Sequence, residues 1–127
     1  MHMARQNISS GGAFEPVFGY SRAVRVGNQI FVSGTTARDP HLDGTDSYQQ
    51  AKAALEIITT ALAEAGSSPA AVVRTVTYVT DIADAQLVAK AHSEVFGDVL
   101  PAATMVEISG LIDPRMKVEI EAHAVEE

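Results

Sequence analysis

Residues 117–125 constrain the fold of this chain more than any other stretch. Val118, Ile120, Ala122 and Ala124 alternate with Lys117, Glu119, Glu121 and His123. Side chains point to opposite faces at successive positions of a strand, so this stretch reads as one with an apolar face and a charged face. The apolar face needs cover from other elements. The charged face needs water, a partner or a ligand. Residues 103–108 read as a second strand, joined to the first by a loop with Gly110 and Asp113-Pro114.

The remaining segments supply the cover. Residues 4–19, with Ser9-Ser10-Gly11-Gly12 and Pro16, show no sustained period and read as an extended, partly mobile lead-in. Residues 22–26 and 29–33 flank Gly27-Asn28, a two-residue hairpin turn suited to positive φ. The polar stretch 35–45, with Asp39-Pro40 and Asp43-Gly44, reads as a surface loop. In 48–65, Ala51, Leu55, Ile58, Leu62 and Ala65 form one helical stripe. Asp46 or Ser47 caps this helix, with Gln49 or Gln50 completing a capping box, and Gly66 ends it. Residues 72–81 read as a strand with Val73, Thr75, Thr77 and Val79 on one face. Asp84 opens a second helix to Phe96, with Leu87, Val88, Ala91 and Val95 as its stripe and Gly97 closing it.

The order is β-β-α-β-α-β-β, an α+β layout with one sheet covered by two helices. Two helices cover one face only. The other is expected to carry Met105, Glu107, Glu119, Glu121 and His123. Such a mixed face predicts sheet packing across an oligomer, with ligand clefts at the seams.

At 127 residues the chain reads as one domain, 1–127, with room for a core. A formal net charge of −7 argues against nucleic acid and anionic membranes as main partners, since both attract basic surfaces. With no cysteine, disulfides, thiol nucleophiles and cysteine–zinc sites are excluded. No apolar run approaches a membrane span and nothing resembles a signal peptide, so a soluble cytoplasmic protein is expected. Met1-His2-Met3 reads as an extension ahead of a native start at Met3.

Several pieces in one order resemble the Rid family, the reactive intermediate deaminases also called YjgF/RidA. They are Gly19-Tyr20, Val32-Ser33-Gly34, Val73-Arg74-Thr75 with Val79-Thr80-Asp81, then Pro101-Ala102, Val106-Glu107 and Lys117-Val118-Glu119-Ile120-Glu121-Ala122. The resemblance implies a chorismate-mutase-like fold, a homotrimer and three clefts between neighbouring subunits. It implies hydrolysis of enamines and imines, such as 2-aminoacrylate and 2-iminopropanoate, to a keto acid and ammonia. It implies no metal and no organic cofactor. Residue by residue, Glu119 matches the family's glutamate, Tyr20 its tyrosine and Ser33 its serine, while Thr104 and Met105 match cleft positions. Ala103 stands where the family has the arginine that grips the substrate carboxylate. One extra residue falls in the loop around 112–116.

Imine hydrolysis requires a placed water, a proton source for nitrogen and a hold on the substrate. Glu119 is the candidate for the first two, through a carboxyl whose pKa is raised; otherwise it is a solvated strand carboxylate. Glu107 and Glu121 are expected to be structural or interfacial. Tyr20 either donates to a ligand or packs its ring. Ser33 has no histidine motif beside it and is expected to satisfy backbone rather than to attack. His41, His92 and His123 lack metal-ligand spacing, Asp39, Asp43 and Asp46 do not match a calcium loop, and Gly11-Gly12 is no phosphate loop.

A charge-assisted hydrogen bond contributes about 1.5–3 kcal/mol, so losing the family arginine weakens carboxylate binding roughly ten- to a hundredfold unless another cation substitutes. Arg22, two residues from Tyr20 and on the same side of an extended segment, is the replacement offered here. Two functions follow: an imine deaminase with a substrate other than 2-aminoacrylate, or a non-catalytic small-ligand-binding trimer. A chorismate-mutase-like isomerase comes third, since that chemistry needs several cations around two carboxylates.

Overall fold

In a computed structural model describing residues 4–127, the apolar half of 118–125 lies at the centre of the molecule; the Met1-His2-Met3 reading falls outside the described residues. The strands are β1 (Arg5–Ile8), β2 (Ala23–Val26), β3 (Gln29–Thr35), β4 (Val72–Val79), β5 (Ala102–Glu107) and β6 (Val118–Val125). The helices are α1 (Phe14–Phe18), α2 (Ser47–Glu64) and α3 (Ala85–Phe96). One sheet runs β1-β2-β3-β6-β4-β5, with β6 antiparallel to both neighbours and β5 parallel to β4. The parallel step needs a crossover, which α3 provides.

The expected α+β architecture is present, with both long helices on one side of the sheet. Along β6, Val118, Ile120, Ala122 and Ala124 are buried, and the alternating Glu119, Glu121 and His123 are half-buried on the other side. Leu55, Ile58 and Leu62 of α2 meet Val88, Ala91 and Phe96 of α3 in the same core as Ile30, Val79 and Ile120. Asp46 accepts from the Gln49 N–H at 2.8 Å while the Gln49 side chain accepts from the Asp46 N–H, the capping box that the spacing predicts. Past the end of α2, Gly66 takes φ +80° and the Ser67 N–H donates to Leu62 O, satisfying an orphan carbonyl.

Four readings change. The lead-in forms β1, which pairs with β2, and the five-residue α1, closed by Gly19 at φ 77°. A four-residue strand with one buried side chain leaves no period to detect. Met105 and Glu107 belong to the helix side, because the parallel register sets them beside Thr77 and Val79. Met105 packs on the core, and Glu107 accepts from the Ile82 N–H at 2.9 Å. A register shift between Val72 and Arg74 turns Val73 outward, leaving Thr75, Thr77 and Val79 on the buried face. Gly97 stays right-handed, and the left-handed residue falls at Leu100 (φ 57°).

One buried side chain positions the loop before β6. Gln50 on α2 donates to Arg115 O at 2.9 Å and accepts from the Lys117 N–H at 2.8 Å. Ala37, Leu42 and Met116 form a small second core between this loop and residues 36–42. These contacts fix where β6 begins, and so where Glu119 emerges. Among the described residues no helix is long and apolar enough to cross a membrane.

Candidate active site

Glu119 leaves β6 opposite the irregular end of β3, where pairing slips between Val32 and Thr35. Gly34 sits in that slip. A Cβ there would come 2.7 Å from Glu119 Oε1, so the missing side chain is what admits the carboxyl. Above it opens a cavity of about 610 Å³, walled by the β1–α1 segment, the loop after β3 and the loop before β6. Half-burial pushes the Glu119 carboxyl above its ordinary value; the Arg22 charge pulls it down in part, and Glu121 adds to the rise.

Arg22 points inward. The residue is 4% exposed, and its Nη1 donates to Gly34 O at 2.6 Å and to Thr35 Oγ1 at 3.0 Å. Its Nη2 donates to the Tyr20 hydroxyl at 3.0 Å and its Nε to Ser10 Oγ at 3.3 Å. One guanidinium thus ties together the bulge beside Glu119, the tyrosine and the lead-in. Its counter-charge is Glu15, also 4% exposed, with Oε2 3.7 Å from Arg22 Nε and 3.8 Å from Arg38 Nη2. Burial works to raise the Glu15 carboxyl. Hydrogen bonds from Ser10, from Ser9 and from the Ser10 and Gly12 N–H groups outweigh it and hold the pKa down to about 2.

The rest of the wall is apolar at one side and acidic at the mouth. Phe14 and Phe18 stack at 5.9 Å, and Phe18 and Tyr20 at 6.4 Å, beside Leu42, Ile112 and Met116. At the mouth Arg115 binds Asp113 at 2.8 Å, Asp39 at 3.0 Å and Asp43 at 3.1 Å. Among the described residues no group of three His, Asp or Glu side chains is placed to hold a metal ion.

Of the residues singled out in the sequence, Glu119, Tyr20 and Arg22 share this cavity. Ser33 does not line it; its hydroxyl donates to Ser21 O at 2.7 Å. Ala103, Thr104 and Met105 lie on edge strand β5, outside the lining, with Thr104 Oγ1 accepting from Arg74 at 2.9 Å. Glu121 accepts from the Tyr78 hydroxyl on the helix-free face. His123 stacks on Phe31 at 4.5 Å on that same face. His92 is on the helix side, 2.8 Å from Thr75 Oγ1, where burial lowers its pKa and favours the neutral ring. Sequence reasoning missed Glu15, Gly34 and Arg38. The four-residue spacing of Phe14 and Phe18 was the one available sign of α1.

Gly34→Ala offers a direct probe of this packing. The group that must move is the end of a flexible side chain, so folding is expected to change by less than about 1 kcal/mol while Glu119 is displaced. A chemical step served by Glu119 is expected to slow by roughly tenfold or more, since small misplacements of a reacting group are costly. Melting curves beside turnover check this, and unchanged turnover would separate Glu119's position from the chemistry.

Comparison with known proteins agrees with this architecture. The family model described as Endoribonuclease L-PSP matches residues 11–126. A crystal structure from Mycobacterium tuberculosis, described as a member of the YjgF/YER057c/UK114 family, is 45% identical with a TM-score of 0.90, covering 97% of this chain and 100% of that one. A RutC family protein of Pyrococcus abyssi is 37% identical over 98% of this chain and 100% of its own length. The 2-iminobutanoate/2-iminopropanoate deaminase of Rattus norvegicus is 33% identical over 96% of this chain and 90% of its own. With the family model spanning nearly the whole chain and the sheet, bulge and Glu119 cleft in place, this chain belongs to the Endoribonuclease L-PSP family, also known as the YjgF or Rid family.

Proposed function

We propose that the cleft hydrolyses a small imine or enamine to a carbonyl compound and ammonia, with Glu119 handling water and proton. The observation that carries this is a half-buried Glu119 carboxyl with a raised pKa, facing the Tyr20–Arg22 pair in one cavity. As carboxylate, Glu119 takes a proton from water while the oxygen bonds to the C=N carbon. As carboxylic acid, it returns that proton to nitrogen. The remaining hydroxyl proton passes to nitrogen by way of Glu119 as the C–N bond breaks, so the carbonyl forms and nitrogen leaves as ammonia with both protons of the water. An enamine first moves its N–H proton to carbon and enters as the imine. A raised pKa makes the protonated form easier to reach during the reaction than it is for an ordinary carboxylate. Arg22 supplies positive charge beside Glu119 and holds Tyr20, whose hydroxyl is available to accept or donate to the substrate.

The reading includes a homotrimer. The helix-free face of the sheet leaves Val26, Phe31 and Val106 between 40% and 48% exposed, apolar area that a second copy would cover. Ala103, Thr104 and Met105 would join the cleft only if a neighbouring copy brought its β5 to it. With alanine at 103, the substrate is expected to differ from 2-aminoacrylate. The family name, Endoribonuclease L-PSP, points to RNA, but sixteen acidic against nine basic residues gives the chain little to offset a polyphosphate.

The test is ammonia release from imines made in place by an amino-acid oxidase, across side chains from methyl to phenyl, with sedimentation run alongside. Acceleration over buffer by a trimeric species is expected. No acceleration for any imine, together with saturable binding of the matching oxo acids, would replace the enzyme with a binding protein.

A further inference from the structure

We propose that Arg38 receives the anionic end of the ligand in this cleft. The inference rests on the reading of the cavity as the ligand site, and it assigns a task that Ala103 leaves undone. Three arginines line the cavity: Arg22, Arg38 and Arg115. A guanidinium has five N–H donors and grips a carboxylate best with two of them.

Arg22 has spent four of its five and is buried. One remaining N–H does not make a fork. Arg115 is saturated: its Nε and Nη2 reach Asp113, its Nη1 reaches Asp39 and Asp43, and three carboxylates surround one cation. An incoming anion meets net negative charge there. Arg38 differs on both counts. Its Nη1 donates to Ser10 O at 2.9 Å and its Nη2 to Ser10 Oγ, which leaves Nε and one hydrogen on each terminal nitrogen uncommitted among the described residues. Its side chain is 35% exposed and lines both this cavity and a second one beside Ile57 and Thr60, so it is open to an incoming anion.

The charge count favours the same residue. Among the described residues Glu15 is the one carboxylate within ion-pair distance of Arg22 and Arg38. The other cavity carboxylate beside this wall, Glu119, faces Arg22, so the Arg38 end is where an incoming anion meets positive charge. The guanidinium is also held in place: at Gly12 a Cβ would come 2.9 Å from Arg38 Nη2 and 2.9 Å from Glu15 Oε2, so the chain passes close over both. Phe14, Phe18 and Ile112 on the same cavity suit an apolar body on that acid. The ligand class is therefore a 2-imino or 2-oxo monocarboxylate with a bulky apolar side chain. Its acid group is held on the lead-in wall, in place of the missing β5 arginine.

Calorimetric titration with 2-oxo-3-phenylpropanoate and with its uncharged amide tests this, on the unmodified chain and on Arg38→Gln and Arg38→Lys. Arg38→Gln is expected to weaken binding of the acid by about ten- to a hundredfold and to leave the amide unchanged. Arg38→Lys, which keeps the charge and loses the fork, is expected to fall between. Three results would overturn the assignment: no saturable binding of the acid by the unmodified chain, undiminished binding by Arg38→Gln, or equal loss of acid and amide. Because binding needs no turnover, Arg38-dependent binding without ammonia release would retire the hydrolase and keep the anchor.

Discussion

Glu119→Gln is expected to lower ammonia release by about a hundred- to ten-thousandfold, the range lost when a positioned general acid–base is removed. The amide is nearly isosteric and still fits against Gly34, so the cavity keeps its shape. On the proposed mechanism, what disappears is the group that takes a proton from water and returns it to nitrogen. The same change is expected to leave folding stability at pH 8 equal or higher. Burial raises the Glu119 pKa in the folded chain above its ordinary 4.5. A group of that kind favours the folded state most when protonated and works against it as pH rises through the folded pKa. Replacing it with a neutral amide removes that cost, the usual trade between stability and a functional site. In the unmodified chain, turnover should fall on the acid side with an apparent pKa above 4.5, and the Gln variant should lack that limb. Melting curves and rate–pH profiles on both proteins settle the matter. If Glu119→Gln kept its rate, the carboxyl would be a strand residue at a cavity wall and the hydrolytic reading would end.

The sheet was legible because its signals are periodic and local. The alternation from Val118 to Ala124 states which side of β6 is buried, and the stripe from Ala51 to Leu62 states which side of α2 meets it. The phase of β5 was not legible. An edge strand whose residues are mostly exposed carries no alternation to read, and only its parallel register with β4 puts Met105 on the helix side. The cavity was half legible. Glu119, Tyr20 and Arg22 came from the family resemblance and from spacing along one extended segment. The framework that joins them comes from segments without a period: Ser10 to Glu15, Gly34 in the strand slip, and Arg38 in the following loop. Those contacts are made between residues far apart in sequence, with Arg38 to Ser10 as an example, so no window along the chain contains them. Glu15 illustrates the gap best. A glutamate in a Gly- and Ser-rich stretch reads as surface, yet it is the buried counter-charge on which two arginines depend.

Removal of that counter-charge is the second large effect expected. Glu15→Ala should cost about 3–5 kcal/mol, the usual penalty for leaving one member of a buried ion pair without its partner. Arg22 cannot swing out to water without releasing Gly34 O, Thr35 and Tyr20, so the loss falls on the fold as well as the cavity. The pH dependence gives the sign. Hydrogen bonds hold the folded Glu15 pKa at about 2 against an ordinary 4.5. A depressed carboxyl pKa contributes stability that is complete above the unfolded value and is lost as pH falls through the folded one. The gap in stability between the unmodified chain and Glu15→Ala should therefore be constant from neutrality down to about pH 4.5 and narrow from there toward pH 2. Taking the difference between the two proteins cancels the other carboxylates, including the half-buried Asp113, which Arg115 also holds at about 2. Glu15→Gln keeps the acceptor oxygen for Ser10 and loses the charge, so it should lie between the two. Urea unfolding at a series of pH values measures all three. A gap under about 1 kcal/mol at pH 7 would mean that Arg22 and Arg38 find water when Glu15 is gone. So would a gap that stays constant down to pH 2, and in either case the cavity would be softer than its hydrogen bonds imply.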